Sequence, residues 1–504
     1  MTSKSAQQPD IRVGIIGGGV GGATIALQLS ALGVKVVLLE KASSLVSGPP
    51  FCHLHAGGNL YRDISDQQCF GLLKQSIDTA KLYKQAIDYR PTIVAVPKRD
   101  KGSPNDVIVR LKKLQQEYQR LIQADPQNQV LGKASHYYTL FERKEIEQLA
   151  QLPTPDNPQT PQQWMIEFAK NVDLEQLQFP LALVQEYGIS TFRLAASVSL
   201  ALQNSTNCQV YTDTQVTGVS QNENSNTKYN HNSNTNTKHN NKGWVITAEH
   251  QGKPQTFTVD YLINACGFKT GSIDDMLGLN RPRMVEFKAA YISRRPSASN
   301  NWPEVVFHGE RGTHNGMTQL TPYPDGYFQI HGMTPEITLF EQGLVASKQH
   351  TAQPQLPAKF LAKVEHQWDQ KIVNTRTNKA IEQVAQFIPA FANATVGSNP
   401  MYGAQQIPGQ DPTLRVADVT FDQHNYARCE IVKASAAISA AETIVENLCG
   451  LGLIANDMNA KQVFSLTDAL SAQQIAEQAD KLAKERGYPL ALARRNNPSV
   501  TNSC

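Results

Sequence analysis

Apolar residues fall along this chain in two rhythms. Short unbroken apolar runs, the mark of strands buried on both faces, stand at 11–16, 34–39 and 261–264. Helical patterns occupy 23–32, 67–89, 104–123, 143–151 and 193–203. In the third of these, Leu111, Leu114, Tyr118, Leu121 and Ile122 share one face, which predicts a stripe turned to a core. Shorter strands are predicted at 92–96, 209–211, 216–219, 244–248 and 256–260. The stretch 284–332 is the richest in strands, at 284–292, 304–308, 317–320 and 327–331, with Pro324-Asp325-Gly326 as the last turn. Helix is predicted again over 356–387, and one long alanine-rich helix over 426–448. Between these lie a proline-punctuated surface connection at 153–161 and an Asn/Ser/Thr/Lys segment at 221–242. The latter lacks the apolar surface needed to order itself and reads as an expanded hairpin loop without a function. The tail from 489 is polar and predicted to be loose.

A length of 504 residues implies two domains or more. With 40% hydrophobic and 18% charged residues, a soluble globular protein is expected. A net charge of +3 and the lack of a basic block argue against a nucleic-acid partner. The seven cysteines include no Cys-x-x-Cys pair, so no metal site is expected, and reduced thiols in a cytoplasmic protein are the simplest account. The first ten residues lack the apolar centre of a signal peptide, and no run is long enough to span a bilayer. Membrane contact is expected only as a peripheral association with the inner membrane.

The first forty residues carry the strongest chemical signal. Gly17-Gly18-Gly19-Val20-Gly21-Gly22 follows the first strand without a break, a helix follows the glycines, Gly33 stops it, and the second strand ends at Glu40. Gly17 permits a tight turn, Gly19 lets backbone approach a pyrophosphate, and Gly22 lets helix pack on strand. The helix N-terminus faces the phosphates with unpaired N–H groups, and Glu40 can accept ribose hydroxyls. This unit predicts a dinucleotide cofactor. Far along the chain, the 261–264 run ends in Ala265-Cys266-Gly267, a second small-residue turn.

With these two signals the chain resembles the D-amino-acid-oxidase-like superfamily of FAD-dependent oxidoreductases, whose later strand ends in Ala-Thr-Gly where this chain has Cys266. The resemblance implies an α/β architecture, with a Rossmann-like FAD-binding domain interleaved with an antiparallel β-sheet substrate domain plus helices. The expected division is FAD-binding parts at 1–98, 190–280 and 395–450, a helical or substrate-domain part at 99–189, the substrate domain at 281–394 and a helical tail at 451–504. The implied FAD-binding residues are Gly17, Gly19, Val20, Gly22, Glu40, Lys41, His53, Val216, Ala265, Gly267 and Gln405. The loop Leu54-His55-Ala56-Gly57-Gly58 is similar to that of members oxidising 2-hydroxy acids or glycerol 3-phosphate, with Tyr61 and Arg62 near their substrate-contacting pair. The 401–409 stretch is similar to the family's flavin-side segment but lacks its usual arginine. No second glycine-rich βαβ unit stands ready for NAD(P)H, which favours direct oxidation of a bound substrate.

The expected chemistry is hydride transfer from a C–H beside a hydroxyl or amine to the flavin, with the protein supplying placement and a base. His55 is the first candidate for the base and His331 the second. Arg62, Arg283 and Arg311 are candidates for holding a carboxylate, and Tyr402 and Tyr323 for shaping the pocket. The favoured function is a 2-hydroxy-acid dehydrogenase passing electrons to a quinone or other carrier, and over all readings the electron acceptor is expected to be a quinone, oxygen or a carrier protein. An amino-acid or amine oxidase is the alternative, and a flavin-binding module without turnover the third.

Overall fold

The computed structural model describes residues 11–54, 57–58, 62, 64–222, 243–365, 368–417, 419–422, 425–455 and 462–495. His55, Tyr61 and all but two residues of the Asn-rich stretch lie outside that set.

Two sheets organise the chain. The first has six strands in the order Val419–Asp422, Tyr426–Cys429, Tyr261–Asn264, Arg12–Ile16, Lys35–Leu39, Cys208–Tyr211. All neighbours are parallel except the Val419–Asp422 edge. Helices Val20–Ala31, Thr191–Gln203 and Ala437–Gly450 supply buried side chains to the same core as this sheet, which explains its continuous apolar runs. A three-stranded antiparallel sheet, Thr214–Gln221, Trp244–His250 and Lys253–Val259, contributes Val219, Trp244 and Ile246 to a small core beside Ile16 and Leu39.

The second major sheet has ten strands. Its path runs Leu344–Ala346, Arg283–Arg294, Tyr327–Gly332, Thr318–Pro322, Glu304–Phe307, Thr92–Ala95, Leu181–Val184, Tyr138–Phe141, and Thr395–Val396 and Met401–Pro408 also pair with Arg283–Arg294. Pairing is antiparallel except between Glu304–Phe307 and Thr92–Ala95. Alternation decides its two faces. Ala289, Tyr291, Leu320, Val305, Phe307, Ile93 and Leu183 point to one side and form a core with the helices Arg143–Leu149, Pro161–Asn171 and Gln370–Ala385. The other side carries buried polar residues on its middle strands, among them Glu304, Gln319, Thr321 and Gln329, and that is the first hint of a site.

Three expectations need correction. The helix predicted over 426–448 starts late, because Tyr426–Cys429 is a strand buried beside Tyr261–Asn264 and helix begins only at Ala437. The 356–387 helix is two, Ala358–Val364 and Gln370–Ala385, the second capped by the Asp369 carboxylate accepting from Lys371 N–H. The chain after Pro489 is not loose at first, since Ala491, Leu492 and Ala493 are buried. Among the described residues, no helix is long and apolar enough to cross a membrane.

Candidate functional site

The glycine turn forms a cradle that side chains would fill. A Cβ on Gly22 would stand 1.9 Å from Gly17 O, and one on Gly17, whose φ is +101°, would stand 2.4 Å from Ala265 O. So Ala265 and the glycine turn meet backbone to backbone, as the two distant motifs required. Gly19 faces open space and is the N-cap of the Val20–Ala31 helix, with no side chain capping it. The helix's first N–H groups are thus presented to that opening, where an anion is favoured. Glu40 closes the cradle by accepting from Gly18 N–H (2.6 Å) through one oxygen and from Ala42 N–H (2.7 Å) through the other. Each oxygen keeps a further lone pair, so bracing the turn and accepting a ribose hydroxyl are compatible. Burial raises its pKa, against the two backbone donors. The Cys266 thiol donates to Ile16 O (3.3 Å), the kind of bond that a threonine hydroxyl there could make. Gly267 has a φ of +56°, Lys41 is exposed and Val216 is partly buried in its strand. An uncapped helix end, an open glycine and a braced acid fit a nucleotide diphosphate.

The polar side of the large sheet meets the loop that follows Glu40, since Gly403 lies so close to Pro49 that a Cβ would stand 2.5 Å from its Cα. At one end the 52–53 segment covers the sheet. Gln329 (3.4 Å), Thr321 (3.6 Å) and Gln319 (3.7 Å) donate to the Cys52 sulfur. His53 lies between carboxylates, Nδ1 3.2 Å from Glu304 and Nε2 3.3 Å from Glu186. The Nε2 contact is a hydrogen bond and the Nδ1 contact an ion-pair distance, so two carboxylates flank the ring. Burial would discharge the ring, but Glu304 and Glu186 outweigh it and lift the pKa to about 9. Arg90 (3.1 Å) also pairs with Glu304, and Glu186 accepts from Gly58 N–H (3.0 Å). His53 is thus buried between Glu304 and Glu186, and this pairing holds it in its loop.

At the other end of the same face, Glu286, Lys288, Arg311 and His331 come together. Lys288 Nζ lies 2.8 Å from Glu286 and 3.1 Å from Gln405 Oε1, and Arg311 also donates to Glu286. Burial would raise the Glu286 carboxyl, but Lys288 and Arg311 hold it low. The second terminal nitrogen of Arg311 is buried with no hydrogen-bond partner among the described residues. Lys433, just ahead of the Ala437–Gly450 helix, has no hydrogen-bond or ion-pair partner among the described residues; burial, then Arg415 and Lys288, bring its pKa down to about 7. Burial, then Lys288, Lys433 and Arg311, drive His331 down to about 3, so its ring is neutral. Gln405 also donates to Val432 O, tying the sheet to the Lys433 loop.

Of the residues expected from sequence, His331, Arg311 and Gln405 meet here. Three do not. Arg283 is fully buried and donates to Asp274, which also takes Arg428 (2.6 Å) and Tyr426 (2.9 Å), so it cements the junction of the sheets. Arg62 is paired with Asp100 at 2.7 Å. Tyr402 stands opposite Ala289 on the apolar side, its ring 5.3 Å from that of Trp368, and packs the core. Tyr323 is buried and donates to Gln329 (3.1 Å). Lys288 and Lys433 were missed. The first had a signal, a charge in register with Glu286 in an otherwise apolar strand; the second was hidden inside an overlong predicted helix.

Comparison with known proteins agrees with the cradle. The family model "DAO: FAD dependent oxidoreductase" matches residues 12–420. No curated protein matches the chain in sequence. Among solved structures, L-amino acid deaminase from Proteus vulgaris superposes with a TM-score of 0.55 at 13% identity, over 92% of this chain and 99% of its own. Glycine oxidase from Geobacillus kaustophilus gives 0.52 at 14%, over 92% and 100%. Glycerol-3-phosphate dehydrogenase from Bacillus halodurans, solved with FAD, gives 0.51 at 12%, over 96% and 74%. At such identities the likeness is one of fold. The chain belongs to the DAO family of FAD-dependent oxidoreductases. It is an enzyme of that class, with FAD as its cofactor.

Proposed function

We propose that this oxidoreductase acts on a small organic acid, a 2-hydroxy acid in the favoured case, and passes the electrons to a quinone or another carrier. The observation that supports it is the neutral His331 beside Lys288, Arg311 and Lys433, with Glu286 the carboxylate that pairs with two of them. An acid's carboxylate would meet the unpartnered Arg311 nitrogen and the Lys433 ammonium. An amino acid would bring its own ammonium into the same cluster, at a Coulombic cost.

When bound, FAD supplies the two-electron acceptor for a hydride leaving the substrate carbon. His331 takes the hydroxyl proton as the C–H bond breaks and the C=O forms. Burial is the main cause of its low pKa of about 3, and the further lowering by Lys288, Lys433 and Arg311 is the part that a bound carboxylate would offset. The polar side chains on this buried face orient the substrate and limit water.

Anaerobic titration of the FAD-loaded protein against 2-hydroxy acids, amino acids and neutral alcohols, followed by loss of flavin absorbance, tests the proposal. Reduction by hydroxy acids is expected. Reduction by amino acids with hydroxy acids inert would overturn it.

A further inference from the structure

The family match ends at residue 420, yet a residue far beyond it reaches the cofactor cradle. The Ala472–Glu485 helix is capped by Ser471, whose side chain accepts from Gln474 N–H, and it buries Ile475, Ala479, Leu482 and Ala483 while packing against Thr191–Gln203. Arg486 ends this helix. Its guanidinium donates to Leu45 O (2.8 Å), Val46 O (3.0 Å) and Ser44 Oγ (3.0 Å), acceptors on three consecutive residues. Those residues follow Glu40 and touch the glycine turn directly. Val46 N–H donates to Gly18 O (2.8 Å), and the Leu45 side chain would stand 2.5 Å from a Cβ on Gly18. Val46 also holds a φ of +55°, a left-handed conformation costly for a β-branched residue. Something must hold it there, and the guanidinium bonds on both sides of the Leu45–Val46 peptide do so.

We propose that Arg486 is a positioning residue for FAD, locking the strained 44–46 loop against the glycine turn so that the cradle is formed before the cofactor arrives. It acts through Val46 and Gly18 on the backbone that receives the diphosphate. The Arg486 Nε is buried without a hydrogen-bond partner among the described residues, so the side chain sits there at a cost its loop contacts must outweigh.

The test uses the full chain stripped of flavin. Arg486→Lys keeps the charge and stem but cannot reach all three acceptors. FAD titration by fluorescence quenching is expected to show affinity weaker by ~10-fold or more, through lost preorganisation, beside a lower unfolding midpoint of the apoprotein from the lost loop bonds. Adding Val46→Gly to that variant removes the strain and is expected to recover most of the affinity. Unchanged FAD affinity in Arg486→Lys would overturn the proposal. So would a loss that Val46→Gly leaves uncorrected, because the loop conformation would then not be what Arg486 controls.

Discussion

The nucleotide cradle and the polar face of the large sheet are built by opposite means. In the cradle nearly every contact is backbone: Gly17 against Ala265, Gly22 against Gly17, and N–H groups aimed at an opening. On the polar face the contacts are side chains brought by strands from distant parts of the chain, such as Lys288, Arg311, His331 and Gln405. A backbone site tolerates few side chains but dictates its ligand's shape. A side-chain site retains its fold when one group changes, and so can be adapted to different substrates.

That contrast can be broken most severely at Gly22. Gly22→Ala places a methyl 1.9 Å from Gly17 O, and because the obstacle is backbone it should expel FAD altogether. The overpacking alone costs on the order of 3 kcal/mol. A colourless purified protein is the expected readout, and a yellow one would show that the turn relaxes more freely than its packing implies.

On the side-chain site, His331→Gln should keep the flavin and lower kcat by roughly 10²–10⁴-fold, the usual worth of a general base. Single-turnover flavin reduction measures it without the acceptor. Arg311→Gln should be milder and fall chiefly on KM for the acid, by about 10–100-fold, since it holds the ground state and the transition state alike. If neutral alcohols suffer as much as acids, Arg311 is not the carboxylate's partner.

The smallest effect is one of pH. His53 is raised from 6.5 to about 9 in the fold, so the stability it contributes is full below 6.5 and is lost as pH climbs through about 9. The contribution is about 3 kcal/mol at most. Melting temperatures of the native protein should therefore decline over that window, and Glu186→Gln should shift the decline to lower pH. A flat profile between those limits would mean the imidazolium is not what anchors the loop.

How much of this was legible in the chain follows the same division. The cradle's determinants are consecutive residues whose spacing is itself the message, and 17–22 with Glu40 could be read directly. The polar face depends on strand register, which sequence leaves open until the partners are known. Four-residue strands such as Tyr138–Phe141 and Leu181–Val184 carry too little pattern to stand out, and Tyr426–Cys429 was absorbed by the alanines that follow it. Arginines were the natural candidates for binding an acid, yet Arg283 and Arg62 are neutralised by Asp274 and Asp100. Whether a charge is available to a ligand depends on partners brought by folding, which local composition does not reveal.

The order of strands in the two large sheets has a consequence for how the molecule can be handled. The chain passes from one sheet to the other and back: residues 12–39 in the first, 92–184 in the second, 208–264 in the first again, 283–408 in the second and 419–429 in the first. No single cut yields two fragments that each own a complete sheet, so neither half should be obtainable as an autonomous piece. Heating should accordingly couple the two sheets, with flavin release and collapse of the polar face coinciding.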